Sequence, residues 1–517
     1  MGHSDVIGIG VQPDGMKTVD RPEPAVEIRL PDNVRILVPA FIDEITTYVL
    51  IEQEDWFETE IAFVRKFLQP GMHCLDIGAN FGVYALAMAT RVGPAGVVFA
   101  FEPSASTAAF LRESVARNGF AQLQVVQAAV SDAEGTVRLS GADAACRHIA
   151  SNGEAGEFVS AVTLDGWYGR QRPERVDFVK IDVEGAEPAV VAGGHTFLRA
   201  CDPLIMLEIN NGGRVDLRAI DALRKLGYEI YRLAPGPGFL IPVDGDGHMP
   251  TTNHLDPYQL NLFACRPGRA AALGARGLLA RQAVSDPAVE PGAGLRWLRQ
   301  KTYFAPLERI VMDAAAAPMP NGHATYMAAL DHVAAAAHPA FAPDLRWAHL
   351  AAALRMLEAA LEQVRNLARL CTAARLYAEV GLRGRAVAAL KEVAAMLSRP
   401  GLTLREPFLC PLARYETIAL GRNPSLWFVA QTIEALERLA HFSSAFSPNS
   451  TVRDLDYIRQ TPFDTAEMER RRQLQRLSRF EQFAVAPSPL LTAAETRNAH
   501  LWESSRPQPW LKRRRTR

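Results

Sequence analysis

Cysteine is scarce in this chain. There are six in 517 residues (Cys74, Cys146, Cys201, Cys265, Cys371, Cys410), and none forms a C-x-x-C pair. That spacing excludes a zinc ribbon or a disulfide framework and fits scattered buried thiols in a reducing compartment. An excess of either charge is also lacking: the formal net charge is -1, so bulk electrostatics favour neither nucleic acid nor a membrane surface. No run approaches the roughly 18 uninterrupted apolar residues of a membrane span. The start has no apolar run behind a basic segment, so no signal peptide is expected. Val6 stands where a myristoylation signal wants Ser or Thr. The expectation is a cytoplasmic protein without a nucleic-acid partner or a membrane span.

What is present suits a large soluble protein. Hydrophobic residues make up 48% and charged ones 22%, enough to bury cores in two or three domains. Five zones are expected. Residues 1–23 are Gly- and polar-rich and read as poorly ordered, and 24–267 alternate β-branched runs with helical stretches. A linker with helices covers 268–340, an all-helical region 341–504, and a basic tail 505–517. The alternation over 24–267 predicts an α/β fold built on a mostly parallel sheet covered by helices.

Within that zone Ala25–Leu30 and Arg35–Pro39 read as a hairpin, and Trp56–Leu68 as a helix ended by Pro70-Gly71. Core strands are expected at His73–Ile77, Gly96–Phe101, Leu123–Ala129, Val176–Ile181 and Leu204–Ile209. Tyr228–Leu233 and Gln259–Cys265 complete a seven-stranded, Rossmann-like set. The Gly-, Pro- and Asp-rich stretch Ala234–Tyr258 reads as a long loop. Farther on, Asp344–Leu370 and Thr372–Leu397 have helical periodicity. Ala374, Tyr377, Ala386 and Leu390 fall where one tetratricopeptide-type hairpin puts its packing residues, although an irregular Ala-rich bundle explains them as well. Asp464-x-x-Glu467 reads as a capping box for a later helix.

Ligands of an open parallel sheet bind at the carboxyl ends of its strands. The first core strand ends in Asp76, and its turn is Gly78-Ala79-Asn80-Phe81-Gly82, not the G-x-G-x-x-G of dinucleotide enzymes. A carboxylate there suits a cationic ligand better than a pyrophosphate, and S-adenosylmethionine has both a sulfonium and an ammonium group. The second strand ends in Glu102-Pro103, twenty residues beyond Gly82, where an acid can accept from both ribose hydroxyls. Asp132, after the third strand, is placed to accept from an adenine amine. The fourth strand runs into Lys180-Ile181-Asp182-Val183-Glu184-Gly185-Ala186-Glu187, a density of charge that is costly unless paired or used.

The blocks Asp76–Gly82, Phe101-Glu102-Pro103, Thr163-Leu164-Asp165 and Lys180–Gly185 resemble those of the FkbM family of methyltransferases, in order and separation, over residues 40–266. The resemblance implies an S-adenosylmethionine-dependent enzyme that methylates a hydroxyl on a sugar, glycan or other metabolite. By position Asp76, Gly78, Asn80 and Glu102 would bind cofactor, and Ala79, Gly82, Pro103, Asp132 and Asp182 are expected to contact it as well. Asp182 and Glu184 would border the methyl-transfer site.

In-line methyl transfer needs a base for the hydroxyl proton. Lys180, Asp182 and Glu208 are the candidates, unless Lys180 pairs with Glu184 only to fix the loop. His148 and His195 are bases by chemistry alone. Asp182, Glu208 and Asn210 resemble a magnesium-ligand layout, but three oxygen side chains do not make a site, and no metal is expected. The helical region would contact protein partners or help present the acceptor. A binding protein with an idle front domain, an amine acceptor and a polyketide-type acceptor remain the alternatives.

Overall fold

The computed structural model describes residues 24–141, 148–149, 155–211, 214–243, 256, 258–281, 287–313, 318–399, 404–479, 485–494 and 496–503. The readings of residues 1–23, Cys146, the 244–255 segment and the 505–517 tail lie outside them.

The hairpin is present as β1 (Ala25–Arg29) and β2 (Arg35–Pro39). Asp32 and Asn33 both take φ 60° in its turn, a conformation that Asn and Asp tolerate best among residues with a Cβ. The central sheet begins with β3 (His73–Ile77), β4 (Val97–Phe101) and β5 (Leu123–Val126), all parallel. The chain then leaves for a four-stranded sheet of β6 (Ala129–Val130), β7 (Gly135–Ser140), β8 (His148–Ile149) and β9 (Glu157–Val162). It returns with β10 (Phe178–Ile181) and β11 (Leu204–Glu208), both parallel to β3. A short ladder of β12 (Asn210–Asn211) and β13 (Arg214–Val215) precedes β14 (Glu229–Ala234), β15 (Phe239–Pro242) and β16 (Asn261–Cys265). The order β15-β14-β16-β11-β10-β3-β4-β5 puts the reversal of strand order between β3 and β10, which is where such a sheet opens a ligand crevice.

The middle strands are buried on both faces, and so their sequences read as near-continuous apolar runs. One core lies on the face of the helices at Glu60–Phe67, Val83–Val92 and Ala105–Asn118. The other lies under Leu164–Gln171, His195–Cys201 and Arg218–Lys225.

Four local expectations change. A helix at Ile45–Gln53 precedes the expected one, which starts only at Glu60. Thr46 to Glu52 are all buried, so the segment has no polar face to show a helical period, and its β-branched residues lower its propensity. The third strand stops at Val126, and Ala129–Val130 instead pair with β9. Part of the expected 234–258 loop is β15, an eighth strand paired with β14, with Phe239, Leu240 and Ile241 buried. The late helix is Ala466–Arg479, and Thr465, not Asp464, caps it by accepting from the Met468 amide at 3.2 Å.

Beyond Pro267 the described elements are helical. Ala374, Tyr377, Ala386 and Leu390 are buried, on the helices Leu367–Glu379 and Arg383–Leu397. Their core also takes in Ala234, Phe239 and Ile241 of the sheet edge. The last segments turn back: Leu474, Leu477, Val485, Leu491, Leu501 and Trp502 share the core that contains Ile28, Tyr48 and Phe63. Among the described residues no helix is long and apolar enough to cross a membrane.

Candidate active site

The turn after β3 takes its shape from three left-handed residues, Gly78 (φ 83°), Asn80 (φ 51°) and Gly82 (φ 95°). The Gly78 and Ala79 amides both donate to the Phe101 carbonyl, at 3.0 and 2.9 Å. The Asn80 amide donates to one oxygen of Glu102 at 3.0 Å, and the Ser104 amide to the other at 2.9 Å. The turn is thereby stitched to the end of β4. A Cβ on Gly78 would lie 1.7 Å from the Asp182 carbonyl oxygen, so a bare backbone here lets β3 and β10 approach.

A cavity of about 270 Å³ opens over these strand ends. Asp76, Gly78, Ala79, Asn80, Glu102 and Pro103 line one side, with Ala128, Ala129 and Val130 beyond them. Lys180, Asp182, Glu184 and Glu208 line the cavity as well, as do Ile45, Thr46, Trp56, Phe57, Glu58, Tyr84 and Phe446. Of the expected site residues two stand apart. Gly82 starts the helix Val83–Val92, and its α-carbon faces Leu111. Asp132 is exposed and accepts from the Ser131 hydroxyl at 3.2 Å, because Ala129–Val130 have moved into the second sheet and carry it past the cavity. The apolar stretch Ala128–Val130 occupies the place expected for it.

Asp76 and Lys180 are register partners on β3 and β10. Both Asp76 oxygens are buried without a well-formed hydrogen bond among the described residues, and Lys180 Nζ lies 4.0 Å from one of them. Burial lifts the Asp76 pKa to about 6, against the pull of Lys180 and of the nearby Ala85 amide. A buried carboxylate left so poorly served fits a cationic ligand group. Lys180 Nζ is 2.7 Å from Asp182 and 4.9 Å from the centre of the Tyr84 ring. Burial works to lower the Lys180 pKa, but Asp182, Asp76 and Glu58 outweigh it and hold the ammonium charged.

Asp182 and Glu208 are hydrogen-bonded to each other. Burial pushes Asp182 up, yet Lys180 and the bond from Glu208 hold it below the usual carboxylate range. Burial first, and the charge of Asp182 second, push Glu208 up to about 12, so Glu208 keeps the proton and donates it. Lys180 and Glu208 are therefore poor proton acceptors, and Asp182 is a weak one. Asp182, Glu184 and Glu208 bring one oxygen each within 4.8 Å of one another. Lys180 and the Glu208 proton already offset much of that charge.

Glu58 joins the expected residues at the site. It lines the cavity and accepts from the Tyr84 hydroxyl at 2.6 Å. Burial raises its pKa, Lys180 lowers it and Asp182 raises it again. No motif marks it, because it sits on an irregular link between helices; its run of neighbours, Trp56-Phe57-Glu58, is the sole signal. His148 lines the cavity, whereas His195 is exposed on the far helix. Asp165 of the third block is structural: it accepts from the Thr196 and Phe197 amides at 3.0 and 2.8 Å. Glu187 likewise holds the loop after β10 by accepting from Val183 and Gly185.

Residues 76–230 match the methyltransferase FkbM domain. Over 255 residues the chain is 29% identical to the AMB antimetabolite synthetase AmbE of Pseudomonas aeruginosa, a match covering 40% of this chain and 11% of that protein. Among solved structures, an FkbM methyltransferase from Methylobacillus flagellatus is 14% identical, covering 38% of this chain and 43% of that one, with a TM-score of 0.26. An S-adenosylmethionine-dependent O-methyltransferase from Thermotoga maritima is 15% identical over 47% of this chain and 93% of that one, with a TM-score of 0.24. The stretch that matches the FkbM methyltransferase domain thus spans the turn after β3 and the strand ends of the central mixed α/β sheet.

Proposed function

From the match to the FkbM methyltransferase domain, we propose an S-adenosylmethionine-dependent O-methyltransferase acting on a hydroxyl of a sugar, glycan or related metabolite. The observation that carries it is the convergence of Asp76 and Glu102, on adjacent strand ends, with the Lys180–Asp182 pair on one cavity. Asp76 would face the cationic part of the cofactor and Glu102 its ribose hydroxyls, while Ala128–Val130 give an apolar seat for a flat base. The cofactor supplies the methyl group.

The remaining steps fall to the chain. The acceptor hydroxyl has to be held in line with the methyl group, and its oxygen has to lose a proton as the new bond forms. Glu58 is the best-suited acceptor of that proton: it faces the cavity, and a carboxylate with a raised pKa is a stronger base than one held low. Asp182, locked between Lys180 and Glu208, orients the site. The match to an antimetabolite synthetase favours a small-metabolite acceptor as the second reading.

Calorimetric titration of S-adenosylmethionine into wild type, Asp76→Ala and Glu102→Ala tests the assignment. Binding by wild type and at least about tenfold weaker binding by each variant are expected, the scale of a lost charge-assisted hydrogen bond. A wild-type protein that binds no cofactor would sink the reading.

A further inference from the structure

Among the described residues of the helical C-terminal region, Phe446 lines the cavity, at the end of the single-turn 3-10 helix Ser444–Phe446. That turn is locked to the helix Ile45–Gln53. The buried Glu52 carboxylate accepts from the Ser444 amide, at 3.1 and 3.0 Å to its two oxygens, and from the Ser444 hydroxyl. The Tyr48 hydroxyl lies 2.9 Å from the same Ser444 oxygen, and Gln53 donates to the Phe442 carbonyl at 2.6 Å. From the other side Arg479 donates to the Ser444 and Ala445 carbonyls, both at 2.9 Å. Charge-assisted bonds of this kind, largely shielded from water, hold a segment firmly.

Yet Phe446, at the end of this fixed turn, is 53% exposed and lies on the cavity wall with Ile45, Trp56 and Phe57. A rigid backbone that leaves a large aromatic ring facing a cavity suits a ligand that covers it. The carboxylates Glu58 and Glu184 line the same cavity. Aromatic rings and carboxylates on one cavity match one chemistry well. A pyranose ring has an apolar face of C–H bonds and an edge of hydroxyls that carboxylates can accept from.

We propose that Phe446 is a specificity-determining residue of the acceptor subsite, and that the C-terminal region completes this subsite for the carbon face of a hexose ring. The inference rests on the reading of the cavity as a methyl-transfer site. It assigns the helical region a part in substrate recognition by this chain itself.

The test uses the full chain saturated with S-adenosylhomocysteine, whose own affinity is measured first by calorimetry. Methyl hexosides and, separately, 2-naphthol are then titrated by ligand-detected NMR into wild type, Phe446→Ala and Phe446→Trp. Hexoside binding by wild type, weakened about fivefold or more in Phe446→Ala and retained in Phe446→Trp, is expected, the scale of one lost aromatic contact. S-adenosylhomocysteine affinity should not change in either variant. Binding of 2-naphthol but not hexosides by wild type overturns the hexose class. Unchanged hexoside binding in Phe446→Ala, or parallel loss of S-adenosylhomocysteine, removes Phe446 from the acceptor subsite. Failure of wild type to bind S-adenosylhomocysteine counts against the methyltransferase reading itself.

Discussion

Asp76 and Lys180 stand opposite one another on adjacent parallel strands, with Nζ 4.0 Å from Oδ1 and neither group exposed by more than 5%. The distance is too long for a hydrogen bond, since Lys180 leans toward Asp182 at 2.7 Å. Asp76 is left as a buried carboxylate with weak support, a costly state in the free protein.

A trade between stability and binding follows for Asp76. Its folded pKa of about 6 exceeds its unfolded value of 3.8, so the folded state holds the proton more tightly. Its contribution to stability is therefore greatest at low pH and is lost as pH rises through 6. Asp76→Asn should stabilise the ligand-free protein at pH 8 by on the order of 1–3 kcal/mol, read by denaturant unfolding. Cofactor affinity should fall in the same variant. In wild type it should rise with pH between 5 and about 7, a slope calorimetry would no longer find in Asp76→Asn.

Glu58 should set the acid limb of the rate profile. The groups around it are Lys180, Asp182, Glu60, Tyr84 and Trp56, and its raised pKa means that it ionises only as pH climbs. The kcat should increase through that ionisation and then level off. Glu58→Gln should lower kcat by about 100-fold or more and flatten the limb, with cofactor affinity unchanged. Retention of the limb in the variant would assign it to another group.

Two glycines with the same backbone angle separate strain from steric closeness. Gly71 and Gly78 both have φ 83°, but a Cβ on Gly71 meets nothing within 4 Å, while one on Gly78 meets the Asp182 carbonyl at 1.7 Å. Gly71→Ala should cost about 1–2 kcal/mol, the strain of the left-handed conformation. Gly78→Ala should cost clearly more in thermal melts and should abolish cofactor binding, because β10 and its loop must move. Equal losses in the two variants would contradict the close approach.

Removing the C-terminal region should not release a well-behaved front half. A chain ending at residue 281 would uncover the surface that Leu474, Leu477, Leu491 and Trp502 bury. It would also leave Glu52, fully buried, without Ser444 and without Arg471 at 3.6 Å. Aggregation or strong binding of a hydrophobic dye is expected. A monomeric fragment with a cooperative melt would show that the contact is dispensable.

Much of the sheet was legible because both of its faces are covered, so β3, β4, β10, β11 and β16 read as apolar runs between helical periods. Asp76, Glu102, Lys180 and Asp182 were legible for the opposite reason: charge at the end of a buried strand is conspicuous. The helix Ile45–Gln53 was not, since burial on all sides erases the period by which a helix is recognised. Nor was the fate of Ala466–Arg479. Its arginines Arg470, Arg471 and Arg472 are buried among Glu52, Glu54, Glu437, Glu467 and Glu469. Pairing across hundreds of residues has no local signature.

By itself, then, the sequence determined the parallel sheet, the turn after β3 and the acids that meet there, all of them consequences of local pattern and strand order. Only the tertiary structure decided that Asp132 misses the cavity, that Glu58 enters it, and that Glu208 holds a proton beside Asp182. It also decided that Phe446, some 370 residues beyond Asp76, lines the same cavity. The physical reason is common to all four: burial, proximity and pKa depend on what surrounds a side chain, and those surroundings are assembled from distant parts of the chain.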